Sequence, residues 1–359
     1  MAYMSAWQLH SYGANLQLEH EVAVPKIEQP SQMVVEVKAA SLNPIDALMK
    51  EGYGDVILRT ARRMKTRDTS GSDSYSRLPL ILGRDCSGVV SEVGPSVSKF
   101  KVGDEVYCTP SVFGQGTLAQ FVLMEETEAA KKPKNLSHTE AAALPYVTAT
   151  VWAALCTSAG LTPANSANCT VLIHGGSGGI GMLATQLLKA WDAKVVSTCS
   201  PNSFDLVKSY GATPVDYHSP DAYDQLSQLG PYDVIFDTVN SDLSWKSVNL
   251  MGAWRNSVFT SITTPLMRNT DAYGAVAGLL KSALEFGYAA LWPLFRGGWY
   301  KWSYFEPNAT ALETITDLVE QGKVKPVVER VVGFEEVPSA LATVALKKGR
   351  GKTIVKIRD

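Results

Sequence analysis

Apolar positions along this chain recur with two different periods, and the change of period divides it. From residue 1 to about 145, short runs alternate apolar and polar residues and are cut by Gly, Pro and Asn. Residues 5–10, 16–24, 33–40, 89–93, 105–109 and 118–123 all carry this period of two and read as strands. The Gly103-Asp104 pair ahead of Glu105-Val106-Tyr107 predicts a tight hairpin. This half reads as a β-barrel-like domain. Residues 138–159 then read as helical, with Ala-rich turns interrupted at Pro145.

From residue 170 the pattern changes again. Val171-Leu172-Ile173 is too short for a helix and rich in branched residues, as a buried parallel strand requires. Gly176-Ser177-Gly178-Gly179-Ile180-Gly181 follows and fits G-x-G-x-x-G. Residues 182–191 then read as a helix with Leu183, Leu187, Leu188 and Trp191 on one face, and 194–199 as a second strand. A glycine-rich turn alone is weak evidence. Set between a strand and a helix inside a βαβ unit, it predicts a dinucleotide-binding loop. Glycines let the backbone approach a pyrophosphate, and amides at the helix N-terminus face its charge. The cadence continues with a helix at 204–210 closed by Gly211 and strands at 214–217, 232–239, 257–262 and 300–305, which predicts a doubly wound α/β sheet. A helix at 311–321 and strands at 324–332 and 353–357 return to the first domain.

The end of the second strand selects among dinucleotides. An acidic residue there would accept from a ribose 2′-OH and mark NAD. Cys199-Ser200-Pro201-Asn202-Ser203 holds no carboxylate before Asp205, so a 2′-phosphate is tolerated and NADPH is the predicted cofactor. No Arg or Lys stands in that loop, and Lys208 lies further along the next helix.

Composition narrows the picture. A chain of 359 residues with 45% hydrophobic content supplies two cores, and a formal net charge of −2 argues against nucleic acid as a partner. Five scattered cysteines without a C-x-x-C pair exclude a disulfide framework and the usual structural zinc sites, and they suit a reducing compartment. No presequence is visible ahead of the first strand. The most apolar stretch, 275–295, is broken by Lys281, Glu285 and Pro293. It predicts a packed helix rather than a transmembrane segment, with a lipid-facing or quinone-tail surface as the alternative. Between 54 and 78 lies a charged insertion with Arg59, Arg62, Arg63, Lys65 and Arg67. It reads as a solvated helix plus loop or, alternatively, as a lid bringing cations to cofactor phosphates.

Ser41-Leu42-Asn43-Pro44-Ile45-Asp46, Leu82-Gly83-Arg84-Asp85-Cys86-Ser87-Gly88 and Val102-Gly103-Asp104-Glu105-Val106 resemble the medium-chain dehydrogenase/reductase superfamily. The Leu144-Pro145 turn resembles its quinone oxidoreductase branch, and the likeness runs from about residue 7 to the C-terminus. It implies a GroES-like barrel built from residues 1–145 and 306–359 around an inserted Rossmann NADP(H)-binding domain, 146–305. Zinc alcohol dehydrogenases have a His and a Glu where this chain has Arg84-Asp85, and they carry a four-cysteine lobe that is absent here; a zinc-free reaction follows. The resemblance implies hydride transfer from NADPH to a small-molecule quinone or other electron-poor conjugated carbonyl (an enone), linked to ubiquinone biosynthesis in the mitochondrion. It also implies a homodimer and a reticulon-type protein partner. Reduction of an enoyl thioester shares the same machinery, and an NADPH-binding scaffold with little turnover is a reading from a different class.

Asn43, Asp46 and Tyr53 are expected to line the nicotinamide cleft, Asn43 hydrogen-bonding substrate or cofactor and Tyr53 donating to a developing oxygen. A turn or cap is the alternative for Asp46, and simple packing for Tyr53. By resemblance, Ser177, Gly178, Gly179 and Ile180 meet the pyrophosphate, and Ser200 and Tyr217 the adenosine side. Thr238, where the family motif has Asn, and Ile262 flank the nicotinamide half. Tyr304, Lys348, Gly349 and Arg350 close the site from the C-terminal segment, and Thr148 faces the nicotinamide. His174, ending a strand, reads as core.

Overall fold

The fold is taken from a computed structural model that describes residues 2–66, 78–346 and 349–358. The alternating first half forms β1 (Tyr3–Leu9), β2 (Gln17–Ala23) and β3 (Gln32–Leu42), then α1 (Pro44–Lys50) and α2 (Asp55–Thr66). It continues through β4 (Leu80–Ile81), β5 (Cys86–Val93), β6 (Glu105–Cys108), β7 (Phe121–Glu125) and β8 (Ala129–Lys131). Short helices α3 (His138–Ala141) and α4 (Pro145–Val151), followed by a π-helical turn over Trp152–Ser158, lead out of this half. A proline at the first position of α4 costs nothing there, because that N–H has no intrahelical acceptor.

The second half alternates. It runs β9 (Thr170–His174), α5 (Gly179–Ala190), β10 (Lys194–Cys199), α6 (Phe204–Ser209), β11 (Thr213–Asp216) and α7 (Ala222–Leu229). Next come β12 (Val234–Asp237), α8 (Asp242–Lys246), β13 (Val258–Ser261), α9 (Leu266–Tyr273), α10 (Ala275–Phe295) and β14 (Trp299–Trp302). The chain closes with α11 (Ala309–Glu320), β15 (Val328–Gly333), α12 (Val337–Ala345) and β16 (Lys352–Lys356).

Six parallel strands pair in the order β11-β10-β9-β12-β13-β14, a doubly wound sheet whose order reverses between β9 and β12. The barrel half has a sheet ordered β15-β16-β3-β5-β6-β8, with β7 also on β3, and a smaller one ordered β2-β1-β4. The last strand pairs antiparallel with β3, so both chain ends build this half. β3 is buried almost throughout because it has partners on both edges. Each half has its own apolar core. Met33, Val35, Leu82 and Val106 belong to one, and Ile173, Leu183, Leu187 and Phe236 to the other. α11 joins the second core through Leu312, Ile315 and Val319 while following the sheet in sequence, so it sits at the seam.

Two local expectations are corrected. β5 and β6 do pair antiparallel, but their connection spans 94–104, so Gly103, at φ +92°, ends a long loop rather than a two-residue turn. Stretch 275–295 is one continuous helix, as its composition predicts, but it is packed along one side only. Its buried residues are Gly278, Ser282 and Pro293, while Val276, Leu284, Tyr288 and Phe295 are exposed. The fully buried residues are small or Pro, while the large apolar ones are mostly exposed, Phe286 excepted, which packs against Tyr300 and Trp302.

Candidate functional site

A cleft of about 840 Å³ opens between the two halves, where the sheet order reverses, at the carboxyl ends of β9, β10 and β12. One wall is the glycine loop. Met182 N donates to Gly178 O as the first turn of α5 forms, and the amides ahead of it have no acceptor within the helix. The loop lies tight on the sheet: a Cβ on Gly181 would stand 2.4 Å from Gly175 O, and one on Gly176 within contact of Ser197. Gly178 and Gly179 face roomier surroundings, so the backbone is bared toward the cleft where a phosphate would approach. Ser177, Gly178, Gly179 and Ile180 all line the cleft, as do Tyr217, Thr238 and Gly349. Next to Tyr146 and Val147 of the cleft wall, the Thr148 hydroxyl is buried with no hydrogen-bond partner among the described residues. Bare amides and a glycine-rich loop, with a buried unpartnered hydroxyl just behind the wall, together fit a nicotinamide dinucleotide.

The facing wall comes from the barrel. Asn43 caps α1, and Asp46, at the third helical position, accepts from Asn43 N at 2.8 Å and from Gly83 N at 3.0 Å. Burial raises the Asp46 carboxyl to about 6 against those two amides. Fully buried, with both oxygens committed, Asp46 acts as the cap and holds Asn43 in place. Asn43 itself lines the cleft.

Behind Asn43 lies a cluster that the motifs did not announce. Asp85 is fully buried and accepts from Ser41 Oγ at 2.6 Å, Asn43 Nδ2 at 3.2 Å and Tyr146 N at 3.4 Å. Lys352, the first residue of β16, donates from Nζ to Asn43 Oδ1 and lies 3.5 Å from Asp85 Oδ2. Its ammonium also sits 5.9 Å from the centre of the Tyr146 ring. Burial raises the Asp85 carboxyl, and Lys352 is the strongest influence holding it down. Lys352 lines the cleft, and its aliphatic stem passes 3.4 Å from where a Gly179 Cβ would be, so it reaches from the glycine loop to Asn43. Arg84 turns the other way: its guanidinium donates to Ser111 O and Gly114 O.

The remaining candidates sit elsewhere. Tyr53 is half-buried between Gly52 and Gly54, near Arg268, Asp271 and Tyr304, and does not line the cleft. Ser200 starts a short 3-10 turn and Ile262 follows β13; neither lines the cleft. Tyr304 is 40% exposed beside Thr264. Arg350 is exposed and its backbone amide meets Glu329 Oε1, whereas Arg330 lines the cleft and donates to Thr353 Oγ1. Lys348 and Arg67 lie outside the described residues, as do the side chains of Arg62, Arg63 and Lys65. Arg59 pairs with Asp55 on α2. His174 is core: its ring lies against the Thr198 and Ser247 hydroxyls, and burial lowers it to about 4.

Residues 29–134 match the alcohol dehydrogenase GroES-like domain and residues 210–355 the zinc-binding dehydrogenase family. Zinc does not suit the side chains present. Among the described residues no group of three His, Cys, Asp or Glu is gathered to hold a metal ion, and an ammonium lies against the buried Asp85. A Caenorhabditis elegans protein named reticulon-4-interacting protein 1, mitochondrial, is 44% identical, covering 98% of this chain and 95% of its own length. NAD(P)H oxidoreductase RTN4IP1, mitochondrial, is 41% identical in Danio rerio and 39% in Homo sapiens, each over 99% of this chain and over 92% and 89% of the relative. The solved quinone oxidoreductase from Coxiella burnetii superposes with a TM-score of 0.77 at 26% identity, over 99% of both chains.

Proposed function

The chain belongs to the medium-chain dehydrogenase/reductase superfamily, within the group of NAD(P)H oxidoreductases just compared, and from that premise we propose that it reduces a quinone or another electron-poor conjugated carbonyl with NADPH. Bound NADPH supplies the hydride. The chain's own work is to hold, orient and neutralise. The bare amides of the glycine loop and the Thr148 hydroxyl hold the dinucleotide, and Ser200 and Tyr217 take its adenosine side. The lack of an acid after β10 supports the 2′-phosphate form, and Arg330 on the cleft wall adds positive charge.

One observation carries the acceptor side: the buried Lys352–Asn43–Asp85 cluster opening on the cleft. As the acceptor is reduced, negative charge grows on its oxygen. Lys352 Nζ, held by Asn43 Oδ1 and balanced by Asp85, hydrogen-bonds that oxygen and passes it a proton, which solvent later restores. Ser41 and Asn43 hydrogen-bond Asp85 and keep it aimed, and Asp46 keeps Asn43 in register. Tyr53, Ile262, Tyr304, Gly349 and Arg350 complete the reading as a rim. The relatives are named mitochondrial, and the chain is read as a mitochondrial protein with a quinone of the ubiquinone type as acceptor and a reticulon-type partner.

Steady-state assays of NADPH and NADH with short-tailed quinones, enones and enoyl thioesters test this. NADPH oxidation by quinones is expected, and Lys352→Met should lower kcat by about a hundredfold or more. NADH preference overturns the cofactor choice. Absence of turnover with every acceptor overturns the reaction.

A further inference from the structure

A second cavity, of about 640 Å³, opens on the α10 side of the doubly wound sheet, a volume in the range that encloses a small organic ligand. Its lining is dominated by aromatic and aliphatic side chains, among them Trp245, Val248, Ala289, Trp292, Phe295 and Trp302. Two indoles have their polar edges answered within the wall: Trp245 Nε1 donates to Asn240 Oδ1 at 2.8 Å and Trp292 Nε1 to Asn249 Oδ1 at 2.7 Å. What they turn to the cavity is therefore apolar surface, with no hydrogen bond left to ask of a ligand.

Its position ties it to the cleft. Asn240 follows β12, Thr263 follows β13 and Trp302 ends β14, so one end stands at the carboxyl ends of three strands. Val239 and Ser241, the neighbours of Asn240, line the cleft, so the 239–241 segment is a wall common to both spaces. Polar groups in the second cavity include Thr263 and Arg268, and Arg268 also stands near Tyr53. The far wall is α10, where Tyr288, Leu291, Trp292 and Phe295 line the cavity and are also exposed on its outer surface.

We propose that this cavity receives the apolar tail of the hydride acceptor, an isoprenoid-type hydrocarbon chain, while the acceptor's ring occupies the cleft. The proposal rests on the quinone reading above and deepens it. Hydrocarbon is the occupant that fits: aromatic and aliphatic side chains supply most of the wall, Arg268 and Glu285 are its two charged residues, and the 239–241 segment is shared with the cleft. The apolar outer face of α10 continues the same surface toward solvent.

The test uses the full chain with quinones sharing one head group and carrying either a methyl or a farnesyl tail. It also follows farnesol binding by the fluorescence of the cavity tryptophans. In the wild type, KM should fall about tenfold or more from the methyl to the farnesyl quinone, and farnesol should change the emission saturably. Ala289→Phe fills the cavity; it should keep the methyl-quinone rate and lose both the tail advantage and the farnesol response. Should that variant fold poorly, Trp292→Ala, at a half-exposed position, should weaken both readouts. Equal KM for the two quinones with no farnesol response overturns the proposal, as does a tail advantage that survives Ala289→Phe. If farnesol is silent and Phe295→Glu turns a dimer into a monomer in sedimentation, the face belongs to a second copy and the proposal falls. If farnesol binds in an Ala289-dependent way while no quinone is reduced, the hydrocarbon site stands and the quinone reading fails.

Discussion

Helices α5 and α10 are both rich in apolar residues and flank the same sheet, yet they meet opposite fates. α5 buries eight consecutive residues, from Gly181 to Leu188, between β9, β10 and α4. α10 buries Gly278, Ser282 and Pro293, and leaves Leu284 76% and Tyr288 83% exposed. The difference lies in what covers each helix. The barrel half and α11 close over the α5 side and complete a core that includes Leu144, Val147 and Leu312. Among the described residues the α10 side has α9, α2, α7 and a short stretch around α8, which leave a cavity and an apolar outer face. Hydrophobicity alone therefore does not forecast burial; a second layer must exist to receive it.

Five substitutions sharpen or break that contrast, the largest expected effect first. Leu187→Ala should lower stability by about 2–5 kcal/mol in urea unfolding, because the packed surroundings cannot collapse into the void. A small loss would mean that α5 is as loosely held as α10. The sheet face on the α10 side is nonetheless buried at β9, and His174 reports on it. Its folded pKa, lowered by burial to about 4, lies below the unfolded value, so the folded state binds fewer protons between them. Stability should be lost as pH falls from about 6.5 through about 4, by up to roughly 3 kcal/mol. His174→Gln should flatten that acid limb in denaturant titrations at stepped pH, and an unchanged limb would show the ring to be hydrated.

Each helix also depends on one glycine. A Cβ on Gly181 would stand 2.4 Å from Gly175 O, and one on Gly278 would stand 2.5 Å from the Thr270 Cα. Both Gly→Ala changes should cost about 1–3 kcal/mol. Calorimetry with NADPH separates them: affinity should drop for Gly181→Ala and hold for Gly278→Ala. The smallest effect is expected at Leu284→Ala, within about 0.5 kcal/mol of wild type by urea unfolding. A larger loss would reveal a partner covering α10.

The barrel strands, the glycine loop and the βα cadence were legible because each is written in neighbouring residues. The seven cleft-lining positions named from motif likeness, Ser177 to Ile180 with Tyr217, Thr238 and Gly349, lie on such segments. The Lys352–Asp85 pair was not legible, since its partners stand 267 residues apart and meet only when the last strand docks on β3. The cationic stretch before that strand did draw attention, yet to Lys348 and Arg350. The signal that could have found Lys352 is a lysine at the start of a strand whose next three residues are buried. Asp46 shows the opposite case. A carboxylate three residues after an Asn that is followed by Pro is a cap by spacing alone, and the structure uses it so. Tyr53 stands where α9 meets the barrel half, a contact that no local pattern encodes.

Because β16 follows every strand of the doubly wound sheet in chain order, that half can mature while the barrel still lacks a staple between β15 and β3. A polypeptide stopping short of β16 would be able to make its glycine loop but would miss the ammonium that faces it. Placing the charge on the strand that staples the barrel ties competence for chemistry to the assembly of both halves, a form of quality control written in connectivity.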